Sequence, residues 1–203
     1  PILFEKHPFG KYLFNSLVVA TCTTFLSILI GASAAYALAR LRFKGKKVML
    51  MAILSISMFP TIATLSPIYL LLKEFSLLNT YLGLIIPYIT FALPLAIWLL
   101  TNFFSQLPKG FEEAAAIDGC SRAGIFFRIM IPLIKPAIFS VALSVFINAW
   151  NEFMFGYIFI STDEYRTLTP AIMLFKGVNT VDWGGLMAGS VVAVIPVTLI
   201  FLF

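Results

Sequence analysis

LFNSLVVATCTTFLSILIGASAAYALA, residues Leu13–Ala39, is a run of 27 residues without a charged side chain. A helix needs about 20 mostly apolar residues to cross the hydrocarbon core of a bilayer. Because the backbone groups of a lipid-embedded segment must be hydrogen-bonded within the protein, a run of this kind predicts a membrane-spanning α-helix.

Similar apolar runs follow along the chain. They cover Val48–Leu72, Tyr81–Thr101, Ala137–Ile160 and Leu186–Phe203. The whole chain is 61% apolar and 11% charged, with a mean hydropathy of +1.00, whereas soluble domains are about 45–50% apolar. This composition excludes a soluble globular fold. The sequence predicts an all-α, polytopic membrane helix bundle with five spanning helices in one transmembrane domain over residues 1–203.

Lysine and arginine lie in short loops between the apolar runs, which favours membrane topology over nucleic-acid binding as the reason for the net charge of +5. Nine of these basic residues fall in two loops, and five fall in the segments on the other side. The two loops contain Arg40, Arg42, Lys44, Lys46 and Lys47, and then Lys109, Arg122, Arg128 and Lys135. The positive-inside rule predicts that both loops are cytoplasmic, that Pro1–Tyr12 is external and that the C-terminus is cytoplasmic.

The long cytoplasmic loop, 102–136, contains signals for two short helices. Pro108 suits the start of a helix, Glu112 and Glu113 suit its positive N-terminal end, and Gly119 suits a left-handed stop. A helix of about ten residues is predicted there.

A second helix is predicted over Arg122–Met130. Ser121 can cap its N-terminus and Pro132 is expected to end it. Together the two helices form an elbow at the inner face of the membrane.

The elbow carries a motif. Glu113-Ala114-Ala115 is followed by Gly119 and then by Ile129-Met130-Ile131-Pro132. This pattern resembles the signature of the permease subunits of binding-protein-dependent ABC importers, with Ile131 in place of leucine. The two side chains are apolar and of similar volume, so the change is conservative. The resemblance implies a type I importer fold whose elbow is a coupling helix that docks in a cleft of an ATPase subunit.

That resemblance assigns the ATPase-coupling residues, which are Glu112, Glu113, Ala114, Ala115, Asp118 and Gly119. Alanine allows close approach to a partner surface, and Glu113 can pair with a basic group there. The resemblance also implies the partners: a second homologous permease, two ATP-binding cassette subunits that bind ATP and magnesium, and an extracellular or periplasmic sugar-binding protein. This chain itself is expected to hold no cofactor or metal.

Ala35–Arg40 and Ala149–Phe153 are similar to the maltose-type carbohydrate branch of the family, and in particular to its second permease. The resemblance implies import of a di- or oligosaccharide through a bacterial or archaeal cell membrane, with glycerol phosphate as an alternative cargo. The family has six spanning helices. One helix upstream of Pro1 and a short tail beyond Phe203 are therefore expected.

Glu152 is the ionisable residue within the predicted spans, where a charge costs about 2.5–3.5 kcal/mol on insertion scales. Asn148 lies four residues earlier on the same helical face, and Asn151 is adjacent. These residues are candidates for the substrate pathway. Alternatively, Glu152 joins its helix to a neighbouring helix or to the second permease.

Pro60 and Pro67 in the second run, and Pro87 and Pro94 in the third, predict kinks in both helices.

Two other classes of protein fit the sequence less well. A secondary transporter usually carries several intramembrane ionisable groups and internal repeats. A membrane enzyme needs a nucleophile with a base, or a metal cluster, and the solitary His7 is expected to lie at the external surface. The sequence contains no phosphate-binding loop of the Gly-x-x-x-x-Gly-Lys-Ser/Thr type, so the chain is expected to be a transport subunit and not an enzyme.

Overall fold

The computed structural model describes residues 8–176 and 181–202. In this part of the chain the helices, in order, are α1 (Phe9–Arg40), α2 (Lys46–Ser57), α3 (Thr61–Glu74), α4 (Leu82–Gln106), α5 (Gly110–Ile117), α6 (Arg122–Leu133), α7 (Lys135–Asn151), α8 (Met154–Phe159), α9 (Leu168–Ile172) and α10 (Trp183–Leu202). The all-α class is therefore confirmed. His7 lies outside the described residues.

Among the described residues, three helices, α1, α4 and α10, are each long and apolar enough to cross a membrane, and the number rises to five if each of two bent helix pairs forms one span. One of these pairs is α2 and α3, which are separated by a break of three residues. Pro60 lies at the bend with an extended backbone, in agreement with the predicted kink. Helix α3 continues through Pro67, and α4 continues through Pro87 and Pro94. The kinks at these three prolines stay predictions.

The prediction of one continuous fourth span over Ala137–Ile160 is wrong. Helix α7 begins at Lys135 and ends at Asn151, and the chain then forms the separate short helix α8. The break has a local cause, because the Glu152 carboxylate accepts hydrogen bonds from the Phe155 and Gly156 N–H groups, two of the free backbone donors in the first turn of α8. The other bent pair consists of α6 and α7, which meet at 78°.

The sequence predicted that Pro132 ends the second elbow helix, and this prediction is wrong. Helix α6 contains a π-helical turn over Phe126–Met130 and continues through Pro132 to Leu133. The Ile131 N–H reaches back to the Phe126 carbonyl in that turn. A wider turn leaves room for the proline ring, which would clash with a carbonyl in a regular α-helix.

The chain divides into two compact units. Unit 1 contains Pro1–Thr24, Pro60–Ile89 and Val145–Phe203, and unit 2 contains Phe25–Phe59 and Thr90–Ser144. The single transmembrane domain over residues 1–203 stays a prediction.

Unit 1 has an aromatic core. The Phe9 ring lies 5.7 Å from the Phe175 ring, and Phe146 stacks on Trp150 at 5.8 Å between ring centroids. The fully buried Asn15 joins separate segments of this unit. Its Nδ2 donates to the backbone carbonyls of Glu164 and Arg166, and its Oδ1 accepts a 2.7 Å hydrogen bond from the Tyr81 hydroxyl.

Candidate functional site

Helix α5, the first helix of the elbow, starts close to its predicted position. The Lys109 carbonyl accepts hydrogen bonds from the backbone N–H groups of Glu112 and Glu113 at 3.0 and 3.2 Å. Both glutamates lie in the first turn. Their negative charges therefore stabilise the positive end of the helix dipole.

The end of α5 confirms the predicted left-handed stop. Gly119 has a φ of +80°. Its N–H donates to the Ala116 carbonyl at 3.1 Å, and the next N–H, of Cys120, donates to the Ala115 carbonyl at 3.0 Å. This pair of bonds is a Schellman motif, which requires a left-handed residue. The chain then turns into α6, where the Ser121 hydroxyl accepts from the Gly124 N–H at 3.2 Å, as the predicted cap requires.

One side of α5 faces its own chain within unit 2. The Arg40 guanidinium, at the end of α1, lies 3.5 Å from Glu112 between Nε and Oε1, and the two side chains are only 5% and 21% exposed. The atoms form an ion pair without hydrogen-bond geometry. Arg40 also donates from Nη2 to the Leu107 carbonyl at 2.6 Å. Ala115, one turn after Glu112, is buried.

The other side of α5 is exposed. Ile117 is 86% exposed and Phe111 is 45% exposed, although both are large apolar side chains. Glu113, Ala114 and Asp118 are also exposed. Exposed apolar side chains on a short helix are typical of a surface that binds a partner.

The six residues predicted to couple to an ATPase therefore fall into two groups. Glu112 and Ala115 hold α5 against its own chain, whereas Glu113, Ala114, Asp118 and Gly119 are exposed at the surface. Their role in coupling stays a prediction.

An aromatic cluster supports the elbow in unit 2. The Tyr36 ring lies 5.6 Å from Phe104 and 5.0 Å from Phe126, which is the first residue of the π-helical turn. Sequence reasoning used Arg40 only as an inner-loop charge and both residues as part of the family-like stretch Ala35–Arg40, and it gave neither of them a contact with the elbow. The sequence feature that could have identified them is their spacing of four residues, which puts both side chains on one face of α1.

The second candidate site surrounds Glu152 in unit 1. Oε1 accepts the Phe155 N–H at 2.9 Å, and Oε2 accepts the Gly156 N–H at 3.2 Å. Oε2 also accepts a 2.6 Å hydrogen bond from the hydroxyl of Tyr88 on α4. Glu152 therefore caps α8 and joins it to α4. This geometry matches the alternative in which Glu152 stabilises the packing of neighbouring helices.

The two asparagines near Glu152 have a different environment. Asn148 and Asn151 are exposed, whereas Glu152 is partly buried and Tyr88 is only 6% exposed. The Glu152 carboxylate therefore accepts hydrogen bonds from donors of its own chain, and the two asparagines are exposed residues. A pathway role for Asn148, Asn151 and Glu152 stays a prediction. Tyr88 was missed because it lies 64 residues before its partner.

Neither candidate site has the residues of a metal centre. Among the described residues, no three histidine, cysteine, aspartate or glutamate side chains lie close enough together to bind a metal ion. The two sites are an exposed, partly apolar helix face on the elbow and a capped helix break.

Comparison with known proteins identifies a family whose model this chain matches. Residues 27–203 match the family model described as binding-protein-dependent transport system inner membrane component. The chain is 42% identical to the trehalose/maltose transport system permease protein MalG of Thermococcus litoralis over 195 residues, which is 96% of this chain and 70% of that protein. It is 39% identical to the sulfoquinovosyl glycerol transport system permease protein SmoH of Agrobacterium fabrum, over 97% of this chain and 69% of that protein.

A solved structure supports the fold. The chain is similar to one in a bacterial ABC transporter involved in the import of the acidic polysaccharide alginate, with a TM-score of 0.79 and 22% sequence identity. The similarity covers 95% of this chain and 72% of the other.

Proposed function

The chain belongs to the family of binding-protein-dependent transport system inner membrane components, and from this membership we propose that it is a membrane-spanning permease subunit of an ATP-driven sugar importer. The family resemblance that the elbow motif predicted is confirmed. The same membership argues against a self-contained secondary transporter.

The observation that carries the proposal is the two-sided geometry of α5. Glu112 and Ala115 fix the helix to its own chain, while the exposed Phe111, Glu113 and Ile117 form a surface of mixed apolar and acidic character. A surface of this kind fits an apolar cleft bordered by a basic group. In the proposed function this cleft belongs to an ATP-binding cassette subunit.

The proposed partners follow from the importer mechanism. Two ATP-binding cassette subunits bind ATP and magnesium and carry out hydrolysis, so this chain holds neither. A second homologous permease completes the transmembrane pathway within the membrane lipid. An extracellular or periplasmic binding protein delivers the sugar. No nucleic acid takes part.

The proposed orientation puts the elbow and the C-terminus in the cytoplasm. The loops that carry Arg40–Lys47 and Lys109–Lys135 contain most of the basic residues, and the positive-inside rule keeps such loops on the cytoplasmic side. The elbow then faces the compartment that contains ATP.

The proposed cargo is a di- or oligosaccharide. Two similar permeases are named for trehalose/maltose and for sulfoquinovosyl glycerol transport, so a glycoside is the common feature of their cargoes. Asn148, Asn151 and Glu152 are the proposed pathway residues, because amide and carboxylate groups can hydrogen-bond to sugar hydroxyls. Glycerol phosphate is the alternative cargo.

Uptake into proteoliposomes tests the proposal. The full complex, purified from its native host, is reconstituted with ATP and magnesium enclosed, and its binding protein is added outside with radiolabelled trehalose, maltose or glycerol phosphate. Sugar accumulation that requires both ATP and the binding protein supports the proposal. Uptake by this chain alone in vesicles without ATP would contradict the proposal. Uptake of glycerol phosphate, without uptake of either sugar, would show that glycerol phosphate is the cargo.

A further inference from the structure

We infer that Arg40 is a positioning residue, which fixes the first elbow helix α5 to the inner end of α1 so that movement of the elbow is transmitted to that helix. This inference rests on the proposed function, because it assigns a role within the coupling of ATP hydrolysis to transport. It does not assign Arg40 to the surface that docks with the ATPase.

The burial of Arg40 is the first argument. Its side chain is 5% exposed, whereas Arg42, Lys44 and Lys47 of the same basic loop are exposed. Orientation in the membrane requires only that basic residues lie near the helix end. A buried guanidinium therefore needs another explanation, since a charge is rarely buried unless it is paired.

The contacts of Arg40 give that explanation. Nη2 donates to the Leu107 carbonyl, one residue after the end of α4 and three residues before α5 begins. Nε faces Glu112 in the first turn of α5. The Arg40 side chain thus joins the end of α1 both to the connection between α4 and α5 and to the first turn of α5.

The guanidinium group suits this position. It presents five N–H donors in a rigid planar fork, so it can contact a backbone carbonyl and a carboxylate at the same time. A lysine has one compact ammonium group and cannot reproduce both contacts with the same geometry. The two contacts at position 40 therefore favour arginine over lysine.

Tyr36 extends the same contact one turn earlier on α1. Its ring packs against Phe104 near the end of α4 and against Phe126 in α6. Tyr36 and Arg40, four residues apart on one face of α1, together contact α4, α5 and α6. Because packed interiors shift between discrete arrangements and do not deform continuously, a displacement of the elbow is expected to move the end of α1 with it.

The test compares Arg40→Gln with Arg42→Gln in the reconstituted full complex. Both variants remove one basic residue from the same loop, but only the first removes the buried contacts. The measurements are recovery of the assembled complex, ATP hydrolysis, and the number of sugar molecules imported per ATP hydrolysed. A merely structural residue would change recovery and leave the sugar-to-ATP ratio of the recovered complex unchanged.

We expect Arg40→Gln to lower the sugar-to-ATP ratio about fivefold or more, the lower end of the usual range for coupling between sites, while Arg42→Gln keeps the wild-type ratio. Arg40→Lys and Glu112→Gln should lower the ratio by less, and they serve as the test if Arg40→Gln does not assemble. The double variant Arg40→Gln with Glu112→Gln should be no worse than Arg40→Gln alone, because the two side chains act as a unit.

A wild-type ratio for Arg40→Gln, or for both Arg40→Lys and Glu112→Gln if that variant does not assemble, would overturn the inference. So would an equal loss in Arg42→Gln. Failure of the proposed function is distinguishable, because the wild-type complex would then show no ATP-dependent sugar uptake.

Discussion

The Tyr88 hydroxyl donates a 2.6 Å hydrogen bond to Oε2 of Glu152, and the same carboxylate accepts two backbone N–H groups at the start of α8. Tyr88 lies on α4, whereas Glu152 lies in the break after α7. A single carboxylate therefore stabilises a break in the chain and joins that break to a second helix.

Replacing Tyr88 by phenylalanine removes this bond and keeps the ring that packs near Phe155. We expect a loss of about 1–2 kcal/mol in stability, intermediate between charged hydrogen bonds in soluble proteins and the weaker ones between membrane helices. Thermal unfolding in detergent measures the loss. Tyr157→Phe is the control, because Tyr157 is 57% exposed, and an equal loss in that control would contradict the role of the bond.

Replacing Glu152 by glutamine leaves one acceptor oxygen where the carboxylate has two. At least one of the three donors around Glu152 then loses its partner, so we expect weaker sugar uptake from an assembled complex. Wild-type uptake kinetics in Glu152→Gln would show that Glu152 has no role in the substrate pathway.

Asn151→Ala provides a complementary variant at an exposed neighbour. If Asn151 contacts the sugar, this variant should raise KM for uptake without lowering the thermal midpoint.

Gly156 allows the close packing of α8 against α9. A Cβ atom at this position would lie 2.8 Å from Cγ of Pro170 and 2.9 Å from Oγ1 of Thr167. We expect Gly156→Ala to destabilise the protein by about 1–3 kcal/mol, the usual cost of overpacking. Gly10→Ala adds the same methyl group in open space, and a comparable loss in both variants by thermal unfolding would refute the packing argument.

Gly119 tests the turn of the elbow. Gly119 and Gly110 both have open space where a Cβ would lie, but only Gly119 has a positive φ. An alanine costs about 1–2 kcal/mol in the left-handed conformation. We expect Gly119→Ala to reduce ATP-driven uptake because it distorts the turn after α5, while Gly110→Ala keeps wild-type uptake. Equal uptake by the two variants would show that the conformation of this turn is unimportant.

Sequence reasoning located the features that depend on local composition. The apolar run at Leu13–Ala39 lies within α1, and the left-handed Gly119 and the Ser121 cap were predicted because each depends on residues within one or two turns. Hydropathy marked the apolar runs at Val48–Leu72 and Ala137–Ile160, but it does not report that each run is broken into two helices or that a carboxylate caps the second break.

The contacts that depend on distant residues were not predictable in the same way. Arg40 looked like an ordinary inner-loop charge, because its partner carbonyl at Leu107 lies 67 residues further along the chain. Glu112 looked like a docking residue, and only the packing of α5 against α1 shows that it faces Arg40. A single sequence without tertiary structure does not distinguish the two faces of an eight-residue helix that has alanine at three positions.

Site-specific photocrosslinking tests the docking of the elbow most directly. A benzophenone amino acid replaces Ile117, which is 86% exposed on α5, or Met58, which is 85% exposed at the end of α2 and serves as the control. The complex is irradiated in native membranes, and the products are identified by mass spectrometry. The proposed docking predicts an adduct between position 117 and an ATP-binding cassette subunit, and no such adduct from position 58. Absence of the adduct at position 117, or the same adduct from both positions, would contradict it.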